Sequence, residues 1–94
     1  MPALTQTQRE DLRLAVREAL VAADPVAFPA DVIARRVDRL QILDFAANVA
    51  DVEAALALLA GLNPPQVQVH PHALGATQYY QATAAGVLAQ ERGQ

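Results

Sequence analysis

Hydrophobic positions recur along the chain first with a helical period and then, beyond residue 65, with the two-residue period of a strand. Leu12, Ala15, Val16, Ala19, Leu20 and Ala23 share one helical face, the spacing of an amphipathic helix. Thr7 with Glu10 three residues on has the form of a capping box. Asp24-Pro25 supplies a stop, because the residue before a proline avoids the helical region. Together these predict a helix over about 7–23. Arg13 and Arg17 flank its apolar face, and Leu14 and Val21 fall on its outward side. Val26-Ala27-Phe28 reads as a brief edge strand. Pro29 suits the first position of a second helix, where its missing N–H costs nothing. Ala30, Ile33, Ala34 and Val37 line one face of that helix, over about 29–39.

The segment from Leu40 to Asn48 follows neither period. Leu40, Ile42, Leu43 and Phe45 demand burial, and the segment reads either as a helical extension or as an irregular linker. A third helix is expected over about 48–60. Asn48 is its N-cap, Asp51 and Glu53 sit in its first turns where acids are favoured, and Val52, Ala55, Leu56 and Leu59 form its apolar stripe. Gly61 is placed for a left-handed cap. After Asn63-Pro64-Pro65, the run Gln66-Val67-Gln68-Val69-His70 alternates polar and apolar. Pro71 to Ala76 reads as a loop and Thr77 to Thr83 as a second strand, which gives an antiparallel hairpin over about 66–83. Ala84 to Arg92 reads as a short closing helix. The expected core contains Val16, Leu20, Ile33, Val37, Leu56, Leu59, Val69 and Tyr80.

Composition narrows the function classes. A chain of 94 residues has room for one core, so a single α+β domain over residues 1–94 is expected. Apolar residues make up 53% of it, yet no stretch is apolar for the ~18 residues of a membrane span. The start MPALTQTQRE lacks the basic end and apolar run of a secretion signal. A cytoplasmic location without a membrane partner is the expectation. With no Cys and no Ser, disulfides, thiolate ligands and the common nucleophiles are absent, and the hydroxyl candidates reduce to four Thr. His70 and His72 flank a proline and read as exposed loop histidines; two imidazoles fall short of a zinc site. The glycines are scattered and form no phosphate-binding loop. Neither an enzyme nor a metal or other cofactor is expected.

The cationic side chains are all Arg, apart from two His, since Lys is missing; the net charge is −3 and the pI about 5.1. A dedicated nucleic-acid binder is usually basic. Arg35, Arg36 and Arg39 make the densest positive cluster. They read either as a solvated helix end, where Arg complements the helix dipole, or as phosphate contacts.

The order is helix, short strand, helix, helix, strand, loop, strand, short helix. Within it, Asp51-Val-Glu-Ala-Ala-Leu-Ala-Leu-Leu-Ala-Gly61 precedes Tyr79-Tyr-Gln-Ala-Thr-Ala-Ala-Gly86. Order and segments together resemble the winged helix-turn-helix of bacterial regulators of the PadR and MarR types. The resemblance covers most of the chain through short, degenerate motifs. It implies a three-helix core with a C-terminal hairpin as wing. Pro29 to Val37 would be the first helix of the helix-turn-helix, Asn48 to Ala60 the recognition helix and Pro71 to Ala76 the wing tip. Tyr80 and Ala82 would face inward, and Tyr79 and Gln81 outward. The family departs from this chain in having a tight turn where residues 40–47 stand.

The resemblance further implies a transcriptional regulator that binds duplex DNA as a homodimer. Arg35, Arg36, Arg39, Asn48, His72, Gln78 and Tyr79 are the candidate DNA contacts. Leu14 and Val21 are the candidate dimer contacts. The residues of the third helix oppose base reading. Away from its stripe it offers Ala50, Asp51, Glu53, Ala54 and Ala57, and none donates a side-chain hydrogen bond to a base. DNA binding would therefore rest on phosphate contacts from Arg35, Arg36, Arg39, the Arg13/Arg17 edge and the wing, which carry affinity without sequence. The alternative is a winged-helix module that contacts another protein through helix three or the Leu14/Val21 strip. A positive stripe from the arginine cluster to the wing would favour DNA; an acidic or apolar helix-three face would favour protein.

Overall fold

The computed structural model describes residues 3–71 and 77–93. Its elements run α1 (Gln6–Ala23), β1 (Phe28–Pro29), α2 (Ala30–Leu40), α3 (Val49–Ala60), β2 (Val67–Pro71), β3 (Gln78–Ala82) and α4 (Ala84–Glu91). Four helices and a three-stranded antiparallel sheet make an α+β fold. The sheet order is β1-β3-β2. Val67 stands opposite Ala82 and Pro71 opposite Gln78 across the hairpin, while Phe28 and Pro29 pair with Tyr80 and Tyr79. Pro29 can join the sheet because β1 lies at its edge, where a missing N–H leaves no gap in a ladder. The expected hairpin tip falls largely on 72–76, outside the described residues.

The helix starts show how local chemistry sets the boundaries. The cap of α1 is Thr5, not Thr7. Thr5 Oγ1 accepts from the Gln8 backbone N–H at 3.1 Å, and Gln8 Oε1 accepts from the Thr5 N–H at 3.0 Å. Thr5/Gln8 and Thr7/Glu10 both satisfy the pattern, since Gln serves at the third position as well as Glu. The earlier start brings Leu4 against the core. At α3 the Asn48 cap is as expected, and Asp51 completes a reciprocal box at 2.8 and 3.1 Å. Pro29 is the N-cap of α2 rather than its first helical residue. Thr83 caps α4, accepting from Gly86 N–H at 3.1 Å and donating to Pro65 O at 2.6 Å.

One hydrophobic cluster joins the elements. Leu12, Val16 and Leu20 of α1, Ile33 and Val37 of α2, Val52, Leu56 and Leu59 of α3, and Val67, Tyr80 and Ala82 of the hairpin are all buried in it. Of the expected core, only Val69 is less than buried; it packs on the cluster half-exposed, while Val67 takes the interior position of β2. Tyr80 and Ala82 point inward, and Tyr79 and Gln81 are half-buried.

Two local expectations are corrected. Gly61 is right-handed (φ −87°, ψ −3°), its N–H shared between Ala57 O and Leu58 O. The left-handed cap belongs to Gln41 at the end of α2, with φ 52°. Residues 41–48 form an irregular linker. Leu43, Phe45 and Ala47 fold back onto the core, whereas Leu40 and Ile42 are largely exposed, contrary to the expected burial. The linker alternates its side chains inward and outward, so only every second one reaches the core.

Candidate functional site

The DNA contacts suggested by the sequence are dispersed, and several are already occupied. Arg35, Arg36 and Arg39 lie on the exposed face of α2. Arg35 Nη2 is 3.6 Å from Asp31 Oδ2, one helical turn back. Arg36 lies over the Phe28 ring, 4.1 Å from its centroid, a cation–π contact. Asn48 spends its side-chain oxygen on the α3 cap. Gln78 accepts a hydrogen bond from Tyr80 OH at 3.2 Å. Tyr79 is half-buried on β3 opposite His70. His72 lies outside the described residues. His70 belongs to β2 rather than to a loop; it is half-buried, with Nε2 2.9 Å from Gln81 Oε1.

The cleft where the starts of α2 and α3 meet β3 is lined by Pro29, Asp31, Val49, Glu53, Gln78 and Tyr80. Among the described residues it carries two carboxylates and no cation. Burial, and then the Glu53 charge, push the Tyr80 phenol above its ordinary value. The exposed face of α3 consists of Val49, Ala50, Glu53, Ala54, Ala57 and Leu58. No side chain on it donates a hydrogen bond.

Because Asn48 works as a cap, its replacement should register in stability. Asn48→Ala removes the Oδ1 that accepts from the Asp51 N–H, leaves the residue-48 backbone N–H able to donate to Asp51, and is expected to cost about 1 kcal/mol. A thermal melt should show this as a drop of roughly 4–8 °C. A loss too small to measure would mean that α3 is held at its start by packing alone.

The more continuous feature runs along the seam of α1 and α3. One stretch is lined by Leu4, Arg9, Arg13, Asp51, Ala54 and Leu58. The next shares Arg13 and Leu58 and continues over Glu10, Leu14, Arg17, Leu62 and Gln66. Leu14, Leu58 and Leu62 are among the largest exposed apolar side chains of the protein. On the other side of Leu14 a further groove holds Ile42, Leu43 and Gln90. Val21 does not extend the Leu14 strip: it is half-buried and packed against the core. The exposed apolar surface around Leu14 is built instead by side chains from α3 and the linker.

Arg17 is the residue that helical phase misplaced. It is 4% exposed, not an open edge of α1. Its Nε donates to Gln90 Oε1 at 2.9 Å and its Nη1 to Gln66 Oε1 at 3.1 Å. Burial lowers its pKa from the ordinary guanidinium value. Both acceptors are neutral amides. Among the described residues no carboxylate lies within ion-pair distance of Arg13 or Arg17. Nη2 of Arg17 makes no hydrogen bond among the described residues.

No group of three or more His, Asp or Glu residues among the described ones could hold a metal ion, and no helix among them is long and apolar enough to cross a membrane. Set against protein-family models, curated proteins and solved structures, the chain matches none of them.

Proposed function

We propose that this chain is a winged-helix module that binds another protein through the outer faces of α3 and α1. It acts as a binding domain and not as a catalyst. In this reading α1, α2 and α3 are the helical core, the β2–β3 hairpin is the wing, and α3 occupies the place of a recognition helix. The observation that carries the proposal is the exposed face of α3. Val49, Ala50, Ala54, Ala57 and Leu58 are apolar and Glu53 is acidic, the reverse of what a groove lined by phosphates attracts. The adjoining cleft adds Asp31 to Glu53. An exposed apolar surface rimmed by charge is typical of a protein contact.

The DNA reading rests on the α2 arginines, and it makes opposite demands. It expects a labelled random duplex to bind at low salt, with log affinity falling by about 0.9 per phosphate contact for each unit of log salt. It also expects Arg36→Ala and Arg39→Ala to weaken every duplex alike. Under the protein-partner reading, fluorescence anisotropy should show no duplex binding at protein concentrations up to about 100 μM, far above the usual non-specific range at low salt. Salt-dependent duplex binding that the arginine variants weaken would overturn the proposal.

A second copy of the chain is one protein that could occupy this face, with Leu14 at the contact. Sedimentation at tens of micromolar separates a 10.0 kDa monomer from a dimer. A dimer that Leu14→Glu dissolves would identify the partner as the chain itself.

A further inference from the structure

We infer that the α1–α3 groove takes an amphipathic helix bearing a carboxylate beside its apolar residues, and that this carboxylate pairs with Arg17 and Arg13. The inference rests on the protein-partner reading above and names the partner's chemistry.

Arg17 is nearly buried, yet its two hydrogen bonds go to neutral amides, and its second terminal nitrogen makes none among the described residues. Hydrogen bonds to neutral amides offset only part of the desolvation cost of a buried cation that has no counter-ion. Arg13 lies one helical turn earlier on α1, lines the same groove, and also lacks an acidic partner among the described residues. Two carboxylates also line this seam, and neither is ion-paired with these arginines. Glu10 accepts from Gln6 Nε2 at 3.1 Å, and Asp51 accepts from the Asn48 backbone N–H. The seam thus carries three guanidinium groups, Arg9, Arg13 and Arg17, against two carboxylates, with no ion pair formed between them among the described residues, an excess of positive charge that favours a guest carboxylate.

Apolar surface adjoins these cations directly. Leu14, Leu58 and Leu62 line the same stretch as Arg13 and Arg17, and Ala54 continues it along α3. The floor lies between two helices and its Ala54 side chain is small, so a third helix can approach closely. A guest helix would lay leucine-like residues along the floor and set an acidic residue over Arg17. Duplex DNA, the other polyanion in question, has no apolar stripe to cover Leu58 and Leu62.

The test uses the full chain, isotopically labelled, and a synthetic helical peptide with leucines at i, i+3, i+4 and i+7 and Glu at the flanking positions. A control peptide carries Lys in place of each Glu. The acidic peptide should move the Arg17 Nε–H resonance and the signals of Leu14, Leu58 and Leu62. It should bind at least about tenfold more tightly than the control. Arg17→Met, which keeps an unbranched side chain and removes the charge, should bring the two peptides to within about threefold of each other. Should Arg17→Met not fold, Arg13→Gln must narrow the gap while the Arg17 resonance still responds to the acidic peptide.

Equal affinity for both peptides in the groove would overturn the carboxylate inference and leave the protein-partner reading standing. No response to the acidic peptide at about millimolar concentration, the weakest binding worth the name, would also overturn the inference. If duplex DNA then shifts the α2 arginines, the protein-partner reading fails with it.

Discussion

Adding one methyl group at Gly86 is expected to unfold this protein more readily than most larger changes would. Gly86 lies in the first turn of α4, and a Cβ there would come 2.2 Å from the backbone oxygen of Gln66 and 3.2 Å from its carbonyl carbon. Both sides of that contact are backbone. Neither is free to move, because Thr83 N–H donates to Gln66 O, Thr83 Oγ1 donates to Pro65 O, and Gly86 N–H donates to Thr83 Oγ1. To admit the methyl, α4 must lift from the 65–66 segment and strain this set of bonds. Ala gains about 1 kcal/mol of helix propensity over Gly. Overpacking against fixed backbone outweighs it, for a net loss of about 2–4 kcal/mol. For a chain of this size that is a fall of roughly 10–20 °C in Tm. Gly61→Ala is the control. Its Cβ would lie 3.3 Å from Ala57 O in a right-handed conformation, so a change within about 1 kcal/mol is expected. If Gly86→Ala melts with the parent, the α4 junction is loose and the contact does not fix it.

These two glycines show which parts of the fold were legible in the sequence. Gly61 stood where helices commonly end, and position alone suggested a left-handed cap. The structure ends α3 with a shared hydrogen bond instead. The requirement at Gly86 arises from residue 66, across the whole hairpin, and no local pattern announces it. Elements with strong local signals were legible: the α1 stripe and the 66–70 alternation reflect burial on one face, and the Asn48 start of α3 reflects a side chain that can cap a helix. The linker at 41–48 was not, because Leu43, Phe45 and Ala47 are placed by the core they meet rather than by a repeat.

The site was legible only in its negative half. The want of base-reading side chains on α3 could be read directly. The burial of Arg17 could not, since its partners Gln66 and Gln90 are 49 and 73 residues away. Two helices beside α1 would leave position 17 at the edge of the buried arc. Packing of α4 against α1 widens that arc, and the arginine is enclosed. The same closure turns what reads as an exposed cationic edge into a buried cation flanked by apolar surface. The arginines of α2 show the converse. They are as exposed as their phase predicts, yet Asp31 and Phe28 already engage two of them.

Leu56 and Leu58, two residues apart on α3, should separate stability from binding. Leu56 is fully enclosed at 0% exposure, whereas Leu58 is 43% exposed. Leu56→Ala removes a side chain that helps join α3 to the rest of the core. The remaining cavity cannot fully collapse, because the surrounding helices are tied to one another. A loss of about 3–4 kcal/mol is expected, a large share of the roughly 5–15 kcal/mol typical of a folded domain. Chemical denaturation should show a much lower midpoint with an unchanged slope. Leu58→Ala gives up surface that water already reaches, so its stability should stay within about 1 kcal/mol of the parent. In the proposed groove Leu58 is shared by both stretches of the floor. Its truncation should therefore weaken the acidic-helix probe by about tenfold or more, as loss of a central apolar anchor does, while the melt stays nearly unchanged. The opposite pattern, a Leu58→Ala protein that melts early and binds normally, would mean that the seam of α1 and α3 holds the fold together and is not a docking surface.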